Sequence, residues 1–285
     1  MLKKIHSLTP AAYKVVVEKN TEVPFQGKYT DSHEKGSWLC RQCGLALFRS
    51  DAKFASGCGW PAFFESIGNA VLNKPDSDGV RTEIICARCS AHLGHVFLGE
   101  GFTKENTRYC VNSCSLDFVE NLTVIDTEEI IVAAGCFWGV ESLFKKLPGV
   151  LGTEVGYTGG HLMNPTYQDV CRGDTGHYEA IRVLYDPTKN DFKKMIEYFF
   201  EIHDFTQANG QGPDIGDQYQ SVIFYYDESQ KKIAQEIIQM LRDKAYQVAT
   251  KLLPVSPFWP AEMYHQDYYV KTGKTPYCHV WRQVF

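Results

Sequence analysis

The sequence predicts two domains of different class: an N-terminal all-β domain of antiparallel sheets with a structural zinc, then a C-terminal α/β domain, an α+β sandwich around a mixed sheet. Three observations carry this. At 285 residues the chain is nearly twice an ordinary domain of about 150 residues. Seven of its ten cysteines precede residue 120, four of them in two Cys-x-x-Cys pairs. The texture also changes near residues 119–128: short β-rich runs punctuated by Gly and Cys give way to strand-like runs alternating with long amphipathic patterns. The expected division is 1–120, a short linker at 121–128 without a Pro, Gly or Ser tract, and 129–285.

The elements follow in order. Helical spacing is confined, in the first part, to residues 10–20, while 80–86, 95–98 and 107–111 alternate as strands. In the second part 130–134 is an apolar strand running into Gly135-Cys136, and 137–147 is a helix ending in Lys145 and Lys146. Residues 180–185 and 221–226 are strands. Residues 192–203 and 228–246 are amphipathic helices, the latter with Ile233, Ile237, Ile238 and Leu241 on one face.

Composition narrows the function classes. With 44% hydrophobic residues each domain can bury a sizeable core. Twenty-nine basic against thirty-four acidic side chains leave a net charge of -5, which repels a phosphate backbone and disfavours a nucleic-acid partner. No membrane association is expected: the longest apolar run, 130–140, is broken by Gly135 and Gly139, and the N-terminal residues 1–7 lead into no apolar stretch. A cytoplasmic protein is the expectation, and ten cysteines in it point to metal binding or thiol chemistry rather than to a disulfide framework.

Cys40-Arg-Gln-Cys43 and Cys86-Ala-Arg-Cys89 have the two-knuckle spacing of a tetrahedral Zn²⁺ site, each turn holding two thiolates about 3.7 Å apart with Zn–S near 2.3 Å. Four ligands leave no open position, so the metal is expected to be structural. Arg108-Tyr-Cys110-Val-Asn112 alternates as a strand, placing Arg108, Cys110 and Asn112 on one face, where the cation favours a thiolate. Cys58 lies on a glycine-flanked loop beside Trp60, and His92 and His95 can move protons near neutral pH. Cys136, at a helix N-terminus, is placed to lose its proton. Glu179 shares a strand row with Ile181 and Val183, and partial burial would let it carry a proton.

Taken together, these residues resemble two known families. In the first half the Cys-x-x-Cys pairs, Ser56-Gly-Cys-Gly-Trp-Pro61, His92-Leu-Gly-His-Val-Phe97 and Arg108-Tyr-Cys-Val-Asn-Ser113 resemble methionine sulfoxide reductase B. In the second, Gly135-Cys-Phe-Trp-Gly139, Gly156-Tyr-Thr-Gly-Gly160, Gly176-His-Tyr-Glu-Ala180, Gln218-Tyr219 and Tyr264-His-Gln266 resemble methionine sulfoxide reductase A. The resemblance implies reduction of methionine sulfoxide, free or in oxidised proteins, with the S-epimer going to the second domain and the R-epimer to the first. It implies Cys136 as nucleophile, Glu179 as acid, Tyr157 and Tyr219 as donors to the oxygen, Asp214 as a substrate-amide contact, and Phe137 with Trp138 as the methyl pocket. For the first domain it implies Cys110 as nucleophile, His95 as proton donor with His92 beside it, Arg108 and Asn112 as polar support, and Trp60 as pocket wall. A sulfenic acid, a disulfide and a thioredoxin-like reductant complete the cycle, with no organic cofactor.

Cys58 is the expected resolving thiol of the first domain. Cys278, in a Gly- and Pro-containing stretch, is that of the second, with Cys171 as the alternative. Cys171 is otherwise expected to be a buried structural thiol, and Cys114 a packed one, about 13 Å along the Cys110 strand if residues 108–114 form one strand. The B family often carries an aspartate four residues after the second His, where this chain has Gly99 followed by Glu100. Two rival readings remain: a zinc-ribbon module fused to an unrelated α/β domain, and a thiol peroxidase, which needs no methyl pocket.

Overall fold

A computed structural model describes residues 8–121, 123–124 and 126–285. The expectation about the N-terminal residues 1–7, and Leu122 and Ile125 of the expected linker, lie outside the described residues. The chain divides into two compact units, Met1–Glu128 and Glu129–Phe285.

The first unit is built of antiparallel strands. Ala46–Arg49, Ser37–Cys40 and Leu116–Val119 form a three-stranded sheet, and a six-stranded sheet runs in the order Lys53–Phe54, Ala62–Phe63, Thr107–Val111, His92–Leu98, Thr82–Cys86, Val71–Pro75. One helix, Pro10–Val16, starts where the expected one does; Thr9 caps it by accepting the Ala12 N–H at 3.2 Å. Between the sheets lies a core containing Trp38, Phe48, Phe63, Ile84, Leu93 and Val111, with Phe48 stacked on Phe63 at 4.3 Å. The strand at 107–111 does not continue to Cys114. Asn112 turns the chain into a 3₁₀ turn, Ser113–Ser115, and the Glu22 carboxylate takes the Ser113 and Cys114 N–H groups at 2.5 and 3.0 Å. The placement of Cys114 along the Cys110 strand is thereby corrected.

The second unit is a six-stranded sheet in the order Lys251–Pro254, Ser221–Tyr225, Glu128–Ala134, Tyr178–Tyr185, Val150–Thr158, Trp259–Pro260. It is mixed, because Ser221–Tyr225 pairs parallel with Lys251–Pro254 but antiparallel with Glu128–Ala134. Helices Phe192–Glu201 and Glu228–Asp243 start at Asp191 and Asp227, whose side chains accept the Lys194 and Gln230 N–H groups at 2.8 Å. Their buried stripes, Met195, Ile196, Phe199 and Phe200 on one and Ala234, Ile237, Ile238 and Leu241 on the other, enter the core beside Ile130, Val132, Val155 and Val183. The helix expected over 137–147 stops at Phe144, because Pro148 bars its predecessor from helical geometry and Gly149 takes φ +89°. Likewise 228–246 ends at Asp243, ahead of Ala245 at φ +68°. Among the described residues no helix is long and apolar enough to cross a membrane.

Candidate active sites and metal centre

The metal centre is assembled by two knuckles of the same backbone shape. Each cysteine pair leaves a strand end: Cys40 closes Ser37–Cys40 and Cys86 closes Thr82–Cys86. The Gly44 N–H then returns to the Cys40 carbonyl at 2.7 Å and the Ser90 N–H to the Cys86 carbonyl at 2.9 Å, with Gly44 and Ser90 at φ +71° and +63°. The knuckles hang from different sheets, so the cluster clips the two together. All four thiols are buried and lie within 4.8 Å of one another, with Cys40–Cys89 and Cys43–Cys86 Sγ separations of 3.6 Å. A tetrahedron with Zn–S bonds of 2.3 Å has edges of about 3.8 Å, so the donor set fits Zn²⁺ with no position left for substrate.

The first thiol site is a row across the six-stranded sheet. Cys110 pairs with Ala62 on one side and with His95 on the other, and His95 pairs with Glu83, so their side chains share a face. A register shift between Ile84 and Ile85 then lets His92 Nδ1–H donate to Glu83 at 2.8 Å, and Lys19 joins the same carboxylate at 2.9 Å. Burial lowers the His92 pKa, which keeps that ring neutral. His95 Nε2–H donates to Asp76 at 2.5 Å. Arg108 is clamped by both Glu100 oxygens at 2.7 and 2.8 Å and lies over the Phe97 ring at 4.3 Å. Glu100, not residue 99, is thus the acidic partner after the His-x-x-His run, and it acts on the arginine.

Cys58 reaches this row from its loop, with its Sγ 3.6 Å from that of Cys110. The bond from Cys110, with help from Ser56, pulls Cys58 down to about 5, while the same contact and burial push Cys110 up. The contact thus favours the thiolate at Cys58, although Arg108 lowers Cys110 as the sequence predicts. Trp60, Arg81, His95, Phe97, Cys110 and Asn112 line a small open pocket. Trp60 is oriented by its indole N–H, which donates to the Glu22 carbonyl at 3.2 Å; Asn112 ties Glu22 to Leu93 through its amide, at 3.1 Å each.

The second thiol site stands where the strand Glu128–Ala134 turns into the helix Phe137–Phe144. Gly135, at φ +87°, makes that turn, and Cys136 occupies the N-cap with 7% exposure. The Trp138 and Gly139 N–H groups do lower its pKa, as a helix N-terminus should, but contact with Cys278 and burial outweigh them and keep Cys136 a thiol. Glu179, expected to be partly buried, is 2% exposed. Burial first and Cys136 second raise its pKa well above the carboxylate range, against one Phe137 N–H donated to it at 3.2 Å. Burial beside a sulfur thus favours its acid form.

The register pairs Tyr157 with Glu179. The Tyr157 hydroxyl donates to Glu262 at 2.9 Å, and the other Glu262 oxygen takes the Tyr167 N–H at 2.9 Å. Burial and then Glu179 raise the Tyr219 pKa. Phe137 is buried, whereas Trp138 is half-buried, stacks on Tyr268 at 3.7 Å and donates its indole N–H to His265 at 3.0 Å. Asp214 accepts the Tyr277 hydroxyl at 3.3 Å. Cys171, expected to be buried, is exposed: its five-residue helix, Tyr167–Cys171, ends on the surface, and the thiol bonds to Tyr167. Cys114 is half-buried, and burial pushes it up to about 12.

His279, whose Nδ1 lies 3.0 Å from the Cys278 sulfur, and Asp76, Glu22 and Glu262 were not expected from the sequence. Asp76, Glu22 and Glu262 are isolated carboxylates that reach their sites from segments distant in the chain, and no local pattern marks them. His279 carried a signal, since it directly follows Cys278.

Two contacting thiols beside a proton donor, once in each unit, define a thiol-dependent reductase with two active sites. The comparisons with known proteins agree. The family model described as Peptide methionine sulfoxide reductase matches residues 128–284, and the SelR domain matches residues 8–120. A peptide methionine sulfoxide reductase MsrA of Methanosarcina acetivorans is 44% identical over 177 residues, 61% of this chain and 94% of that protein. One from Thermus thermophilus is 47% identical over 153 residues, 53% of this chain and 87% of its own. The crystal structure of reduced Mxr1 from Saccharomyces cerevisiae superposes with a TM-score of 0.52 at 33% identity, covering 55% of this chain and 93% of that one. The chain belongs to the peptide methionine sulfoxide reductase family, with a B-type domain preceding an A-type domain, and it reduces the epimers of methionine sulfoxide. The zinc-ribbon and peroxidase readings fall with this match.

Proposed function

We propose that the second unit, within residues 129–285, reduces the S-sulfoxide and the first, within 1–120, the R-sulfoxide, with 121–128 joining them. In the second, Cys136 attacks the sulfoxide sulfur as Glu179 protonates the departing oxygen; methionine leaves and Cys136 becomes a sulfenic acid. Tyr157 and Tyr219 hold the oxygen, Asp214 receives the substrate amide, and Phe137 with Trp138 encloses the S-methyl group. Cys278 then displaces water and forms a disulfide. In the first unit Cys110 attacks, His95 supplies the proton with His92 beside it, Arg108 and Asn112 hold the polar frame, Trp60 walls the pocket and Cys58 resolves. Cys40, Cys43, Cys86 and Cys89 hold Zn²⁺, which supplies stability and no reaction step. A thioredoxin-like donor reduces both disulfides, so the cycle suits the reducing cytoplasm, where it repairs oxidised methionine, free or in proteins.

The observation that carries this reading is Glu179, 2% exposed beside Cys136 and bound to the Phe137 N–H at 3.2 Å, because S=O cleavage needs a proton delivered where the thiol attacks and burial there favours the acid form. Turnover of each resolved epimer by Cys136→Ser and Cys110→Ser proteins tests it. Each variant loses one epimer and keeps the other, and an S-epimer still reduced at the normal rate without Cys136 refutes the assignment. A second reading is favoured by the 3.6 Å contact that lowers the Cys58 pKa to about 5, which would make Cys58 the first nucleophile of its pair. Dimedone trapping after one equivalent of R-sulfoxide decides, since Cys58→Ser should still yield a Cys110 adduct.

A further inference from the structure

His279 has no part in the cycle described so far, yet it is built into the second site. It is 4% exposed. Its Nε2–H donates to the Ala134 carbonyl at 2.6 Å, which fixes the tautomer and leaves Nδ1 as a bare acceptor. That Nδ1 lies 3.0 Å from the Cys278 sulfur. The ring packs on the first turn of the helix that Cys136 caps: a Cβ on Gly139 would fall 2.2 Å from Nδ1, so only glycine lets the imidazole lie there. Ala134, which anchors the ring, is two residues before Cys136. The imidazole and Cys136 are therefore held by one short stretch of backbone, and Cys278 meets the ring there.

We propose that His279 is the general base of the resolving step. Nδ1 takes the proton of the Cys278 thiol as that sulfur attacks the Cys136 sulfenic sulfur. The S–S bond forms, the S–O bond breaks, and the imidazolium returns the proton to the departing hydroxide, which leaves as water. No electrons beyond those of the two sulfurs are needed. The step rests on Cys278 being the resolving thiol. The titratable groups that face the ring are Cys278 in contact with Nδ1, Asp214 and the buried His203, while Tyr269 and Tyr277 face the two sulfurs, Cys136 and Cys278.

The test is a single turnover of the full chain with one equivalent of methionine S-sulfoxide, following methionine release, dimedone-reactive Cys136 and the Cys136–Cys278 disulfide by peptide mass. A Gln at 279 keeps a donor for Ala134 but no base. For His279→Gln, disulfide formation falls about 100-fold relative to methionine release, the usual weight of a general base, and Cys136 accumulates as the dimedone adduct. Its residual disulfide rate climbs with hydroxide concentration, which a packing role would not produce. His279→Asn, whose amide accepts a hydrogen bond at the Nδ1 position without carrying a proton, is equally slow. A disulfide formed at the unmodified rate in His279→Gln, or a rate restored by Asn, overturns the base and leaves Cys278 as resolver. A Cys136–Cys171 disulfide in the unmodified protein overturns both.

Discussion

The two thiol sites solve one chemical problem from opposite sides of the protonation balance. In the first unit the half-buried pair joins a loop to a sheet beside a guanidinium and an open pocket, and the contact with Cys110 pulls the Cys58 pKa down to about 5. In the second, Cys136 is buried at a helix N-terminus where the backbone dipoles favour ionisation, and it is nonetheless held as a thiol by its neighbour and by burial. The proposed proton donors follow the same division: in the first unit an imidazole braced by Asp76, in the second a carboxyl whose pKa burial raises well above the usual range. A helix N-terminus is therefore not enough to predict a thiolate. Contact with a second thiol and desolvation of a nearly sealed sulfur together outweigh two N–H groups, whereas the half-buried Cys58 keeps the stabilisation its partners provide.

The units also differ in what holds them together, and this yields the largest expected effect. The second relies on an apolar core on both sides of its sheet, the first on a smaller core plus the four-cysteine clip. Structural zinc in small folds contributes on the order of 10 kcal/mol. Cys40→Ser, or chelation, should unfold the first unit alone: R-epimer turnover vanishes, S-epimer turnover persists, and calorimetry loses one of two transitions. Loss of both activities would show the units to be interdependent.

Next in size, Glu179→Gln should lower S-epimer kcat by about 10²–10⁴ without touching R-epimer turnover. The raised pKa fixes the sign of two pH effects. The acid form is the active one, so the S-epimer rate falls as pH rises through the folded-state pKa of Glu179. Folded protein also keeps this proton where the unfolded chain has released it. Glu179 therefore costs no stability below the ordinary carboxylate range, and stability declines as pH climbs from there to the folded-state value. The Gln variant should flatten that decline in urea titrations across pH.

A smaller effect separates the two thiol pairs directly. With Cys58 near 5, roughly nine in ten of these groups are thiolates at pH 6. Iodoacetamide at that pH should mark Cys58 well before Cys136, as read by peptide mass, and equal labelling would remove the contrast. The smallest change is expected at the rim. Glu100, largely solvent-facing, clamps Arg108, so Glu100→Ala should shift the urea midpoint by under about 1 kcal/mol. The R-epimer KM should rise more than kcat falls, because the guanidinium loses its direction rather than its charge.

Local pattern determined a great deal in this protein. The Cys-x-x-Cys knuckles, the capped amphipathic helices, the strand at 107–111 and the strand–glycine–cysteine–helix turn at 130–137 all depend on neighbours within a few residues, and spacing alone makes them legible. The cysteine pairs, the His-x-x-His run and the glycine-flanked motifs brought both reductase signatures into view with no structural help. Tertiary structure decided what depends on register and burial. Pairing of Cys110 with His95, of Tyr157 with Glu179, and of the Cys278 segment with the Cys136 turn joins residues between 15 and 142 positions apart. The carboxylates that brace these groups, Asp76, Glu22 and Glu262, come from segments whose own periodicity says nothing of a site. Protonation was the least legible property of all. Whether a thiol or a carboxyl holds its proton is set by how much water is left around it, and that quantity exists only once the chain has folded.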